Sequence, residues 1–261
     1  MLEEPSLTAI ANKYGTDKGT EGPVDAWSGH NYTDIYEAYL WPMRHEEVRI
    51  LEIGLGVRGS AWDSRIAQGK NTGGGASIKM WAEYFPRARI FGVDINPAPH
   101  LNTDRITTFV ADQGNPAQLR EVIEATGSED FDIIIDDGSH RADHQQIAFG
   151  VLFDHVRVGG VYFIEDLLSN GVGDPRSGVF ASKIPVLNTR RVFQTFAETG
   201  RLGTPNAIGD TTETVEHIKW VHFHVPTRST TIARGHSLAR PIQRVSRFQP
   251  RSEEMCVIQR C

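Results

Sequence analysis

Short β-prone apolar runs alternate along this chain with segments of helical spacing, and several of the runs stop on a carboxylate. Val48–Ile53, Arg89–Asp94, Thr107–Asp112, Phe131–Asp136 and Val161–Ile164 read as five strands. Strands covered on both faces of a parallel sheet appear as unbroken apolar runs rather than alternating ones. Between them, Ser77–Phe85 is amphipathic and stops at Pro86, and residues 117–126 and 141–156 also have helical spacing. Gly159-Gly160 reads as the turn into the fifth strand. Strands and helices alternating at this interval predict an α/β fold with a mostly parallel sheet and crossover helices.

The flanks have a different rhythm. Ser6 is placed to cap a first helix, a polar turn follows at Lys13–Gly19, and Tyr32, Tyr36 and Tyr39 recur at helical spacing before Pro42. Those tyrosines suit core packing and a site equally well. Beyond Ile164, residues 167–187 read as a loop over the strand ends, 190–198 as a helix and 216–225 as a strand. The pattern divides the chain into an N-terminal helical segment (1–46), an α/β core (47–225) and a C-terminal tail (226–261). The tail is expected to pack on the core or on a partner subunit.

With 261 residues and 39% apolar content the chain can bury one large domain. A formal charge of −6 argues against nucleic acid, which needs concentrated Lys and Arg. The arginines of 228–251 are scattered and read as a solvated tail. Cys256 and Cys261, both near the end, close no useful loop. No apolar run is long enough to span a bilayer, and the start has no signal-peptide pattern, so a cytoplasmic protein is expected.

The candidate chemistry lies at the strand ends. Ile133–Ile135 runs into Asp136-Asp137-Gly138-Ser139-His140, and Val161–Ile164 runs into Glu165-Asp166. Open α/β sheets place ligands at the carboxyl ends of their strands. Neighbouring strands would deliver Asp137, Glu165 and Asp166 to one crevice with His140 beside them. Three carboxylates in one place repel unless a cation lies among them, and all-oxygen ligation suits Mg²⁺ better than zinc. Closer to the start, Gly54-Leu55-Gly56-Val57-Arg58-Gly59 matches G-x-G-x-x-G, a weak signal alone because a long loop intervenes before the next helix. Gly54 and Gly56 let backbone approach a ligand. Asp94 is placed to accept from ribose hydroxyls, and Asp112 to reach an adenine amino group. NAD(P) also uses this frame, and each acid alone is equally an N-cap or turn residue.

Glu52-Ile53-Gly54-Leu55-Gly56 resembles the first motif of Rossmann-like S-adenosylmethionine-dependent methyltransferases, and Asp112 fits that class better than a dehydrogenase. The resemblance extends through Tyr14-Gly15-Thr16-Asp17-Lys18, His30-x-Tyr32-x-x-x-Tyr36-Glu37, Trp81-x-x-Tyr84-Phe85-Pro86, Gly92-Val93-Asp94, Asp136–His140 and Glu165-Asp166. Together, over roughly residues 7–225, these resemble the catalytic domain of the metal-dependent sugar O-methyltransferases of macrolide biosynthesis. The resemblance implies a Rossmann-like methyltransferase fold, S-adenosylmethionine and Mg²⁺ as cofactors, a sugar acceptor and a homo-oligomer. It implies Asp137, Glu165 and Asp166 as metal ligands and His140 as general base; His144, one helical turn further, reads by its position as structural. Glu52, Gly54, Gly56, Ser77, Asp94, Asp112, Gln113 and Asp137 form the implied cofactor set. The chemistry agrees: a metal acidifies a chelated diol and imidazole removes a proton near neutral pH. A catechol acceptor lined by Trp27, Tyr32, Tyr36 and Trp220, a hydroxylase-like enzyme, and a module that only binds the nucleotide are the competing readings. A ferrous site would want two histidines to one carboxylate, the reverse of this set.

Overall fold

The computed structural model describes residues 4–21, 29–57, 73–167, 182–209, 212–224 and 254–261. The Gly-rich 58–72, Trp27, most of the loop 167–187 and the Arg-rich 228–251 lie outside or largely outside these residues.

The first helix, α1 (Leu7–Tyr14), begins as expected: Ser6 accepts from the Ala9 amide, and Gly15 closes the helix in the left-handed region at φ 69°. Next come α2 (Thr33–Leu40), β1 (Arg49–Ile53), α3 (Ala76–Tyr84), β2 (Arg89–Asp94) and β3 (Ile106–Val110). These are followed by α4 (Pro116–Ala125), β4 (Phe131–Asp136), α5 (Ala142–Leu152) and β5 (Val156–Ile164). Last are α6 (Thr189–Thr199), α7 (Thr212–His217), β6 (Ile218–His224) and β7 (Met255–Arg260).

The strands form one sheet in the order β3-β2-β1-β4-β5-β7-β6. Pairings among β1 to β5 are parallel, and β7 runs antiparallel to both of its neighbours. Strand alternation sorts the core into two layers. Ile50, Ile133, Ile135, Phe163 and Val257 pack with residues of α1, α2 and α3. Leu51, Ile134, Tyr162, Ile164 and Ile258 pack on the other face with Leu119, Phe149 and Phe193. On the first face α1 is clasped to α3, since Lys13 Nζ and Tyr14 Oη both donate to Glu83 Oε2 at 2.6 Å. Among the described residues no helix is long and apolar enough to cross a membrane.

Several elements depart from the sequence pattern, among them β3, which spans Ile106–Val110 rather than Thr107–Asp112 and leaves Asp112 beyond its end. β5 starts at Val156, not Val161: a register shift against Phe131–Ile133 carries it through Gly159, at φ 81°. Residues 212–217 are helical, so β6 begins at Ile218 rather than Glu216. Residues 255–260, which the pattern assigns to the tail, form β7 between β5 and β6. Its Met-Cys-Val-Ile start is buried, and its partners are fixed only by tertiary pairing.

The turn after β1 passes so close to the end of β4 that a side chain has no room. Gly54 has φ +90°, and a Cβ there would lie 2.0 Å from the Asp137 carbonyl oxygen. Gly54→Ala should therefore cost at least about 2 kcal/mol, from overpacking and the left-handed backbone together. Urea midpoints check this; an unchanged midpoint would mean the turn yields freely.

Candidate active site

The carboxyl ends of β1, β4 and β5 stand side by side. The Asp137 amide donates to the Ile53 carbonyl and the Glu165 amide to the Asp136 carbonyl, each at 2.9 Å. Gln145 Nε2 of α5 holds the Glu165 carbonyl at 2.9 Å. The N-terminal segment closes over these ends. Lys18, fully buried, donates to Asp137 Oδ2 and to Glu165 Oε1 (2.7 Å), and lies 3.7 Å from Glu52 Oε1. Tyr36 Oη donates to Glu165 Oε1, and Tyr32 Oη donates to Asp166 Oδ1 at 2.6 Å.

This cluster is rich in negative charge. Burial works against the Lys18 ammonium, but Asp137, Glu165, Glu52 and Asp17 outweigh it and hold its pKa well above the usual lysine range. Burial pushes the Glu165 carboxyl well up, with Asp137 adding to the effect and Lys18 opposing it. Asp137 is raised mainly by burial. Burial likewise pushes Glu52 up to about 7, and Asp136 up to about 7. Asp17 goes the other way: burial is outweighed by His30, Lys18 and His140, and its pKa is lowered.

His140 and Asp166 both adopt left-handed backbone, at φ 56° and 52°. Non-glycine residues enter that region at a cost, and such strain clusters at functional sites. The two side chains meet, with His140 Nε2 3.6 Å from Asp166 Oδ2. Asp137, His140 and Asp166 each offer a ligand atom, all within 4.8 Å of one another. Glu165, the third ligand expected from the sequence, is not in that group and is linked to Asp137 through the Lys18 ammonium. The donor set fits a hard divalent cation: Lys18 supplies a single charge against Asp137, Glu165 and Glu52, with Asp166 alongside. Of the expected ligands, Asp137 and Asp166 lie within ligand reach of one another, and His140 lies with them.

The predicted cofactor residues lie on β1 and the turn after it, at the start of α3, and at or just beyond the ends of β2, β3 and β4. Asp94 Oδ2 accepts from the Leu55 amide and Oδ1 from the Asn96 amide, both at 2.9 Å. Glu52 Oε2 accepts from Ser77 Oγ at 2.9 Å. Asp112 lies two residues beyond β3 and accepts from the Gly114 amide at 2.8 Å. Gln113 bridges β4 and its loop: Nε2 donates to Asp136 Oδ1 (2.6 Å), while Oε1 accepts from the Ser139 amide (2.9 Å). Gly56, at φ +60°, has open space where a Cβ would stand. His144 pairs with Ser139 Oγ through Nδ1 at 2.9 Å, beside the site rather than in it.

Lys18 and Asp17 carry no site role in the sequence reading. A charged pair in a glycine-flanked turn normally faces water, and its burial depends on the chain crossing the sheet ends. Their presence in the Tyr14–Lys18 motif is the one signal that marks them.

The strand order, the glycine turn after β1 and the acids near the ends of β1 and β2 are those of the S-adenosylmethionine-dependent methyltransferase fold. Within that fold the chain is similar to sugar O-methyltransferases of natural-product pathways. It is 48% identical over 144 residues to the 8-demethyl-8-(2-methoxy-alpha-L-rhamnosyl)-tetracenomycin-C 3'-O-methyltransferase of Streptomyces olivaceus, a match spanning 55% of this chain and 34% of that protein. It is 40% identical over 166 residues to the demethylmacrocin O-methyltransferase of Streptomyces fradiae, covering 63% of this chain and 37% of the relative. With the mycinamicin VI 2''-O-methyltransferase of Micromonospora griseorubida it shares 36% identity over 165 residues, 63% of this chain and 36% of the relative. The matches thus span little more than a third of these relatives' length. No family model matches the chain. Among solved structures, the MycE methyltransferase of the mycinamycin pathway, in complex with Mg, SAH and mycinamycin VI, superposes with a TM-score of 0.65 at 24% identity. That alignment covers 99% of this chain and 55% of the other, and it shows the shared fold.

Removing the ammonium would leave buried carboxylates uncompensated, so Lys18→Met should cost about 3–5 kcal/mol in urea unfolding. A variant as stable as wild type would show that the cluster relaxes without it. The Glu52 value also carries a sign. Folding raises its pKa from 4.5 to about 7, so the native state holds a proton that the unfolded chain has released. Its contribution to stability is present below about pH 4.5 and is lost as pH rises through about 7. Glu52→Gln removes that slope, and the urea midpoint of the variant relative to wild type should grow between about pH 5 and pH 8. A difference that stays flat would return Glu52 to an ordinary carboxylate.

Proposed function

We propose that this chain transfers the methyl group of S-adenosylmethionine to a sugar hydroxyl of a natural product, using Mg²⁺ held by Asp137, Glu165 and Asp166, with His140 as general base. The observation that carries the reading is the meeting of Asp137, His140 and Asp166 within 4.8 Å at the ends of β4 and β5, beside the Gly54 turn. The named activities of the similar proteins support it, since each methylates an oxygen of a glycosylated or macrolide-type compound. The Mg and SAH of the MycE structures support the cofactors.

When bound, the cation supplies the charge that acidifies a chelated diol, and the sulfonium supplies an already activated methyl. The chain's own residues do the rest. His140 Nε2 takes the hydroxyl proton, and Asp166 Oδ2, 3.6 Å away, stabilises the imidazolium that results. His140 follows Asp137 by three positions in one tight turn, so base and ligand serve the same space. Asp94 fixes the turn after β1 through the Leu55 amide, which sets where the donor lies relative to the acceptor oxygen. Vicinal phenol oxygens chelate a cation equally well, so a catechol belongs in the acceptor screen.

The test is labelled methyl transfer from S-adenosylmethionine to free, nucleotide-linked and glycosidic sugars and to catechols, with EDTA or with Mg²⁺. Transfer to a glycosidic sugar is expected, silenced by EDTA and restored by Mg²⁺. His140→Ala should lower the rate by about 10²–10⁴-fold while leaving binding of S-adenosylhomocysteine intact. Undiminished turnover in that variant would remove His140 from the mechanism, and full activity in chelator would eliminate the metal.

A further inference from the structure

The donors around the carboxylates come from one part of the chain. Tyr32, at the start of α2, and Tyr36, one helical turn on, present their hydroxyls to the consecutive acids Asp166 and Glu165. Lys18 takes Asp137. One oxygen of each acid is thereby occupied: Oδ2 of Asp137, Oε1 of Glu165 and Oδ1 of Asp166. The second oxygen of each is left uncommitted to these donors, and Asp166 Oδ2 is the one beside His140.

We infer that Tyr32 and Tyr36 are positioning residues of the cation site, whose hydroxyls orient Asp166 and Glu165 so that each turns a single oxygen to the ion. This rests on the reading that those acids hold it. Core packing alone does not account for the phenols. The Tyr36 ring fills the space between Trp81 and Phe163, at 4.9 and 4.6 Å between ring centroids, and phenylalanine would fill it as well. Both side chains are fully buried, and each hydroxyl donates to a carboxylate. Partners of this kind fix the direction and basicity of metal ligands, and losing one typically weakens metal binding by about 10–100-fold.

The experiment is titration of the full chain with Mn²⁺ by electron paramagnetic resonance, in wild type, Tyr32→Phe, Tyr36→Phe and the double variant. Calorimetry with S-adenosylhomocysteine and a thermal midpoint accompany each. Mn²⁺ affinity should fall about 10–100-fold in each single variant, with affinity for S-adenosylhomocysteine unchanged. Variants that bind Mn²⁺ as tightly as wild type would overturn the inference and leave the proposed function standing. Parallel loss of both affinities would mark a general loosening and overturn it too. Wild type that binds no Mn²⁺ would overturn both readings at once. Should Tyr36→Phe fail to fold, Tyr32→Phe decides by itself, because its carboxylate partner is a separate residue.

Discussion

A single ammonium inside a nest of carboxylates is the constraint on which the arrangement depends. Lys18 is sealed from solvent, and its Nζ reaches acids that end three different strands: Glu52 on β1, Asp137 after β4 and Glu165 after β5. Desolvating that charge is unfavourable, and its attraction to several carboxylates offsets the loss. The same contacts keep the strand ends from repelling one another. One positive charge does not balance the set, however, and the carboxyls of Glu52, Asp136, Asp137 and Glu165 are pushed up, chiefly by burial. The proposed function places a further cation here, and the left-handed residues His140 and Asp166 lie at the same rim.

The division of labour follows from topology. A parallel sheet aligns the carboxyl ends of its strands, so β1, β4 and β5 all supply acceptors to one rim. A rim made only of acceptors needs donors from elsewhere. α1 and α2 supply them by packing on one sheet face, where Tyr36 lies between Trp81 of α3 and Phe163 of β5. The Glu83 clasp on α1 holds the Tyr14–Lys18 turn in place. Helix packing and site geometry are consequently one problem: displacing α2 would move the partners of Glu165 and Asp166 together.

Much of this was legible in the sequence because its signals are local. An apolar run stopping on an acid identifies both a buried strand and the residue at its tip, and β1, β2 and β4 lie where the pattern put them. The meeting of Asp137, His140 and Asp166 follows from strands that are neighbours in the sheet. What escaped the pattern depends on distant pairing. β7 is a short buried run with neither alternation nor a turn beside it, and only its seat between β5 and β6 makes it a strand. Nothing within a few residues of Lys18 marks it for burial; three acids 34 to 147 positions away do, the last of them Glu165. The tyrosines of α2 have helical spacing whether they pack a core or serve a site, and here they do both.

The acids of the rim differ in what they can still do, and this separates bracing from chemistry. Asp94 has both oxygens committed to backbone amides, those of Leu55 in the turn after β1 and of Asn96 in its own turn, so its main effect is to shape the loop that a nucleotide would meet. Asp136 faces inward, pinned by Gln113, and Burial holds its pKa near that of an ordinary histidine. Asp166 is different: one oxygen is held by Tyr32 and the other faces His140. It touches the Tyr32 phenol on one side and the imidazole on the other. On the proposed reading a proton taken up by His140 would stand 3.6 Å from Asp166 Oδ2, so base and cation site would act as one electrostatic unit rather than two neighbouring ones.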